Sequence, residues 1–339
     1  MSRLAVVLFN LGGPDGPQAV RPFLFNLFND KAIIGAPKPI RWLLAQWISR
    51  KRAPLAQEIY AKLGGGSPLL GLTRAQAQAI ETRLGGEARV FIAMRYWHPM
   101  TEETVAEIRR FAPERIVLLP LYPHYSSTTT GSSLQAWRRA AGDLVAIPTS
   151  EICCYPTLPG LIEALAQGAR QGLDQAAKAG RPRLLFSAHG LPKRMIARGD
   201  PYQAQIEMTA RAVVAKLAIA DLDWTVCYQS RVGPLEWIGP ATLDEIDRAG
   251  QDRVPLVVLP VAFVSEHSET LVELDIEYRD HARKAGVPAY VRVPALGTAP
   301  AFIDGLVSMI QAARPGLDSA SHSRDCPKGS GLCPRKDRA

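Results

Sequence analysis

At 339 residues, 47% hydrophobic and 21% charged, the chain is long enough for about two domains with full apolar cores and too apolar to be intrinsically disordered. Its 40 basic against 32 acidic residues leave a net charge of +8, which suits an anionic partner, but the basic residues are dispersed and form no recognised nucleic-acid motif. No apolar run approaches the roughly 18 residues needed to cross a bilayer.

The chain opens on a strand. Leu4 to Phe9 is a short apolar run leading into Asn10-Leu11-Gly12-Gly13-Pro14, with neither the basic stretch nor the small-residue cleavage site of a signal peptide, so a cytoplasmic location is expected. From Pro39 onward, Ile40, Leu43, Leu44, Trp47 and Ile48 fall at i, i+3, i+4, i+7 and i+8, with Trp42 beside them and Arg50-Lys51-Arg52 closing the segment. This is a helix whose apolar stripe either faces the core or lies in the headgroup region of an anionic bilayer. Gly64-Gly65-Gly66-Ser67 lacks both the Gly-Lys-Ser/Thr ending of a P-loop and a Rossmann spacing of glycines. It reads as a flexible turn with donor N–H groups, and no nucleotide cofactor is expected.

Further apolar runs follow at Val90 to Met94, Ile116 to Leu121, Leu184 to Ser187, Trp224 to Tyr228, Pro255 to Val264 and Tyr290 to Val293, separated by helical patterns. Strands spaced by helices predict an α/β protein of two facing doubly wound, Rossmann-like domains with parallel sheets. A boundary near Ile147 to Pro156 gives residues 1–150 as the first domain, with a lip at 39–68, and 151–314 as the second. Residues 315–339 form a cysteine-containing tail without a core of its own. In such sheets the ligand crevice lies outside the carboxyl ends of the strands, so the loops there carry the candidate chemistry.

Arg95-Tyr96-Trp97-His98-Pro99 follows the second strand and, with Tyr122, Tyr125 and Trp237, suits a broad cleft for a flat aromatic ligand carrying carboxylates. His189 ends a strand and precedes Gly190, read as a glycine that lets a ligand approach closely. Glu269, Glu273 and Glu277 recur every four residues after His267, so on an α-helix they form one ladder of like charges. Such a ladder is either a solvated face or a site for cations and protons. Five cysteines in a reducing compartment leave buried thiols or metal ligands; Cys227 inside a strand reads as a buried small hydrophobe, whereas Cys326 and Cys333 in the tail point to zinc or an iron–sulfur cluster.

In order along the chain, Asn10 to Pro14, Gly64 to Pro68, Arg95 to Pro99, Leu121 to Ser133, Ser187 to Pro192 with Arg198-Gly199-Asp200-Pro201-Tyr202, Gln229 to Pro240, and Glu266 to Tyr278 resemble the ferrochelatase family. That resemblance, spanning Leu8 to about Ala312, implies insertion of Fe2+ into protoporphyrin IX with release of two protons. It implies that His189 and Glu269 bind the metal and accept protons, and that Glu273 and Glu277 continue a carboxylate path. Arg52, Tyr60, Ser67 and Ser230 correspond to porphyrin-contacting positions, Trp237 to an aromatic wall, and Arg95 and Tyr96 to an opposite wall that offers a competing route for the metal. Leu11 replaces a methionine found in some relatives, which removes any thioether role there. Some relatives carry a 2Fe–2S cluster on one mid-chain and three late cysteines; here Cys154, Cys326 and Cys333 match, with Cys153 as the available fourth thiolate. The implied setting is a monomer or homodimer on the inner face of the cytoplasmic membrane. Coproporphyrin ferrochelatase, cobalt chelatase and a non-catalytic porphyrin or haem carrier are the alternatives.

Overall fold

The structure is a computed structural model that describes residues 3–86, 88–231, 233, 235–317 and 331–332. Its first unit runs to Cys154 and is rejoined by the chain from Val307; the second runs from Tyr155 to Leu306. In the first unit β1 (Leu4–Asn10) lies between β2 (Ala88–Met94) and β3 (Arg115–Pro120), and the sheet continues through β4 (Thr149–Glu151) to β9 (Gly316–Leu317), every pairing parallel. In the second unit β5 (Arg183–His189) lies between β6 (Trp224–Gln229) and β7 (Leu256–Pro260), with β8 (Tyr290–Arg292) beyond β7, again all parallel.

Each sheet begins with a central strand, adds its second strand on one side and its third and fourth on the other. The direction of winding therefore reverses at β1 and at β5, the position where doubly wound sheets bind ligands. The central strands are near-continuous apolar runs because helices cover both faces. Ala5 to Leu8 and Leu184 to Phe186 are fully buried, and each buried Val or Leu contributes about 1.5–3 kcal/mol. The sequence runs miss β4 and β9, which are three and two residues long and carry little apolar signal. They also overrun β7: the expected strand to Val264 ends at Pro260, and the rest is a turn.

In the first unit, α1 (Val20–Phe28) packs on α2 (Lys38–Ala61), followed by α3 (Leu69–Leu84), α4 (Thr101–Phe111) and α5 (Thr130–Ala140). The face of α2 that meets the core carries Ala45, Ser49 and Ala53, small residues that let α1 approach, and Tyr60. The tryptophan stripe therefore points outward: Trp47 is 61% and Leu43 62% exposed, with Lys51 over the Trp47 ring. The glycines after α2 form a turn whose N–H groups donate, as the sequence suggested, and two of them donate back into the helix. Gly64 and Gly65 have φ of +86° and +99°, left-handed values that glycine tolerates, and their N–H groups donate to Ala61 and Tyr60 carbonyls to close the helix.

The second unit contains α6 (Pro159–Ala176), α7 (Lys193–Ala197), α8 (Tyr202–Leu217), α9 (Thr242–Asp252), a π-helix (Glu269–Tyr278), α10 (Arg279–Lys284) and the start of α11 (Pro300–Ala312). The segment expected as an α-helical ladder is thus wound i→i+5 over ten residues. Such helices are rare and cluster at functional sites. No helix among the described residues is long and apolar enough to cross a membrane.

Candidate active site

In the second unit the parallel register puts His189 of β5 beside Gln229 of β6, so the loops after both strands start together. His189 Nδ1 lies 2.9 Å from Glu269 Oε2 on the π-helix. Its side chain remains 39% exposed, and Nε2 has no hydrogen-bond partner among the described residues. Burial pushes the imidazole down, but the charge and hydrogen bond of Glu269, with Glu273 behind, outweigh it and hold His189 above its ordinary 6.5. Burial likewise opposes ionisation of Glu269, yet His189, then His267 and Ser230, bring its carboxyl down to about 2. His267 Nε2 is 4.0 Å from the same carboxylate; burial, with His189 nearby, keeps that imidazole below its usual value and therefore neutral at pH 7.

Glu273 is held differently. Its carboxylate accepts from Gln229 Nε2 at 2.9 Å, Ser230 N–H at 2.9 Å, Ser230 Oγ at 2.5 Å and Tyr278 Oη at 2.8 Å. Burial and the Glu269 charge raise its pKa despite these donors. The same bonds fix Ser230 in a left-handed conformation, φ +58°, which a non-glycine residue adopts only when its surroundings demand it. Glu277 is exposed. The ladder therefore divides into two recessed, partnered carboxylates and one at the surface.

Several supporting groups carry no sequence signal of their own. Gln229, 1% exposed, accepts from Ser187 Oγ at 2.8 Å and donates to the Glu269 carbonyl at 2.9 Å, tying β5, β6 and the π-helix together. Buried Tyr202 hydrogen-bonds the backbone of His189. Gly190 is also required by packing: a Cβ there would lie 3.0 Å from the Gln229 carbonyl and 3.3 Å from the Trp237 ring. Trp237 pairs with Pro192 through a β-bridge, and its buried Nε1 has no partner among the described residues.

In the first unit the ends of β1 and β2 are aligned, and Arg95 and Tyr96 donate their N–H groups to Asn10 and Leu11 carbonyls. Asp30, just past α1, gathers this corner. Its Oδ2 accepts from Arg95 Nη2 at 2.7 Å, from Tyr96 Oη at 2.8 Å and from Ser132 Oγ, while Arg95 Nε donates to Ser132 Oγ at 2.6 Å. Burial opposes the Asp30 charge, but Arg95 and these hydrogen bonds keep its carboxyl below the usual range. Tyr96 is 1% exposed, and burial beside Asp30 holds its hydroxyl protonated. Of the other sequence candidates, Tyr60 is buried against Val20, Phe23 and Leu24, and Arg52 is exposed with its guanidinium 5.8 Å from the Phe28 ring. Ser67 N–H donates to Pro14 and its Oγ accepts from Leu69 N–H at 3.3 Å, starting α3.

Cys153 and Cys154 are buried with Sγ atoms 3.6 Å apart; Cys326 and Cys333 lie outside the described residues. Cys227 is a core thiol that burial pushes up to about 12, as its strand position implied. Among the described residues no group of three or more His, Cys, Asp or Glu side chains forms a ready metal cage.

Among solved structures the fold is similar to that of SirB from Bacillus subtilis with Fe3+, with a TM-score of 0.55 and 10% identical residues over 91% of this chain and 94% of that one. The sirohydrochlorin chelatase SirB from Bacillus subtilis subspecies spizizenii in complex with cobalt gives a TM-score of 0.53 at 10% identity, with the same coverage. At such identities the likeness concerns fold alone: two doubly wound α/β units, a chelatase-like fold. A model of the ferrochelatase family matches residues 3–314, and ferrochelatases of Caulobacter vibrioides and Phenylobacterium zucineum are 55% and 54% identical over 99% and 98% of this chain and 99% and 96% of theirs. The chain belongs to the ferrochelatase family.

Proposed function

We propose that this enzyme inserts Fe2+ into protoporphyrin IX, with His189 and Glu269 as the groups that receive the metal and the displaced protons. The observation that carries this reading is the 2.9 Å contact between a recessed imidazole and a carboxylate at the carboxyl end of the central strand. Metal insertion must strip water from the ion, remove two pyrrole protons and bend the macrocycle so that its nitrogen lone pairs face the metal. Glu269, ionised down to about 2, supplies a permanent negative charge for the ferrous ion. With Nδ1 engaged by Glu269, the second ring nitrogen of His189 is left for metal or proton. Gln229, Ser230 and Tyr278 hold Glu273 behind this pair, where its raised pKa suits a proton acceptor. Glu277 is the exposed end of that path. Arg52, Tyr60, Ser67, Arg95 and Tyr96 in the first unit, and Ser230 and Trp237 in the second, are carried by family resemblance as porphyrin contacts or their immediate support.

Proton and metal compete for His189. Its value is raised, so the imidazole stays protonated to a pH above 6.5 and insertion should rise as pH climbs through that point. In Glu269→Gln the largest charge holding the proton is gone, and the midpoint should fall; an NMR titration of the His189 ring in both proteins measures it. An unchanged midpoint sinks the assigned coupling. The substrate is tested by comparing Fe2+ insertion into protoporphyrin, with two carboxylates, and coproporphyrin, with four. Preference for the latter overturns the protoporphyrin reading, Co2+ preference makes it a cobalt chelatase, and tight porphyrin binding without metalation makes it a carrier.

The outward Trp42 and Trp47 beside Arg50, Lys51 and Arg52 support peripheral attachment to an anionic membrane face, and hence a cytoplasmic enzyme at the inner membrane. Trp42→Ser with Trp47→Ser should lose sedimentation with phosphatidylglycerol vesicles and keep turnover in detergent; undiminished vesicle binding counts against it. For a 2Fe–2S cluster, Cys153 and Cys154 offer two thiols whose 3.6 Å separation is close to the edge of a tetrahedron with ~2.3 Å metal–sulfur bonds. Cys326 and Cys333 would be the other two ligands, and no step of the insertion runs through the cluster. A colourless, iron-free preparation made without oxygen would argue for zinc or for bystander thiols.

A further inference from the structure

We infer that Arg292 is a positioning residue for metal insertion, a clamp that holds the π-helix in the winding which presents Glu269 and Glu273. This rests on the metal-site reading above and adds to it a residue that touches neither His189 nor Glu269.

The geometry is specific. Arg292 ends β8 with its side chain only 8% exposed. Its Nε donates to Asp275 Oδ1 at 3.1 Å and its Nη2 to Asp275 Oδ2, so the guanidinium grips that carboxylate with two parallel bonds. The remaining nitrogen, Nη1, donates to Glu266 Oε1 at 2.5 Å. Glu266 precedes Glu269 by three residues and Asp275 follows it by six, so a single planar group on a neighbouring strand holds the chain on both sides of the proposed ligand. The grip is extended by Ala295 N–H, which also donates to Glu266 Oε1 at 2.9 Å, and by Tyr290 Oη, which donates to the Leu274 carbonyl at 2.9 Å. Arg279 adds a second guanidinium to Asp275 at 3.1 Å.

A π-helix carries one more residue per hydrogen-bonded turn than an α-helix and is seldom chosen without outside support. Relaxation to α winding turns later side chains by about 100° for each residue lost from a turn. Glu273 would then leave Ser230 and Gln229, and Glu269 would leave His189. The hydrophobic pattern does not prevent that change, since spacings of four residues suit both windings. Besides the contacts of His189, Gln229 and Ser230 at the site itself, the bonds of Arg292 favour the π winding from outside it. Lysine cannot replace them, because a compact ammonium cannot fork onto Asp275 while reaching Glu266.

The test uses the whole protein. Arg292→Ala should lower kcat for metal insertion by about 10²-fold with little change in KM for the porphyrin, the signature of displaced reacting groups in an intact binding surface. Added guanidinium chloride, against equal sodium chloride, should restore most of the loss, a rescue that general destabilisation does not produce. Arg292→Lys should stay low. Asp275→Asn, which removes the forked contact and leaves the arginine, should reproduce a smaller kcat loss, and it decides the matter if Arg292→Ala does not fold. Unchanged kcat in the deciding variant, or a loss in Arg292→Ala that guanidinium does not relieve, overturns the clamp. His189→Ala measured alongside separates the two ideas. If it retains full activity the metal-site reading fails whatever Arg292 does, and if it is inactive while Arg292→Ala turns over normally only the clamp fails.

Discussion

Replacing His189 with alanine is expected to lower metal insertion by about 10²–10⁴-fold while porphyrin binding persists, since the proposed role lies in receiving metal and protons and not in holding the macrocycle. The structure gives two reasons for so large an effect. His189 is the group from which Glu269 draws most of its stabilisation as an anion, through both charge and the 2.9 Å hydrogen bond. Without it the carboxyl rises from about 2, and the nearest remaining imidazole, His267, is 4.0 Å away with its pKa held low. Gln229 and Ser230 already donate to Glu273. Insertion followed by the loss of free-porphyrin fluorescence, with binding read separately by quenching of protein fluorescence, measures both halves. A rate indistinguishable from the unmodified protein would remove His189 from the chemistry.

Asp30→Ala carries the largest expected cost in stability, about 3–5 kcal/mol, because it strips the partner from a recessed charge. Asp30 has a 4% exposed side chain and Arg95 18%, and both Tyr96 and Ser132 point their hydroxyls at the same carboxylate oxygen. Removing it leaves a guanidinium and two buried hydroxyls without their acceptor, each costing more than the net worth of the bond it made. Asp30→Asn keeps an acceptor and should cost less. The pH dependence has a definite sign. The folded-state pKa of Asp30 lies below its ordinary 3.8, so the contribution is present in full above that value and fades as pH falls below it. Urea midpoints at neutral and acid pH measure both effects. A neutral-pH midpoint equal to that of the unmodified protein would show that the cluster does not hold the first unit together.

How much of this was legible before the structure depends on the range of each interaction. The strands could be read because parallel strands covered on both faces become continuous apolar runs, as in Ala5 to Phe9 and Leu184 to Ser187. His189 could be singled out because a strand's end and its loop are adjacent in the chain. The partners of these residues could not be read from the residues alone; His189 was joined to Glu269 only through the family resemblance. Glu269 is 80 residues from His189, Asp30 is 65 from Arg95 and 102 from Ser132, and nothing local marks any of them as belonging together. Asp30 and Gln229 were passed over for that reason: each looks like an ordinary polar residue at the end of an element. The packing demand at Gly190 is invisible locally for the same reason, since the Trp237 ring and Gln229 carbonyl that crowd a side chain there come from another strand and its loop.

By itself, the sequence determined the fold class, the order of its strands along the chain and the family, because burial periodicity and ordered motifs are properties of neighbouring residues. Only the tertiary structure decided that the tryptophans of α2 face outward, since the small stripe Ala45, Ser49 and Ala53 competes for the core and fits closer to α1. It also decided that the glutamate ladder is a π-helix. A four-residue spacing is compatible with α or π winding, and what separates them is contacts from distant strands: His189, Gln229 and Ser230 on Glu269 and Glu273, and Arg292 on Glu266 and Asp275.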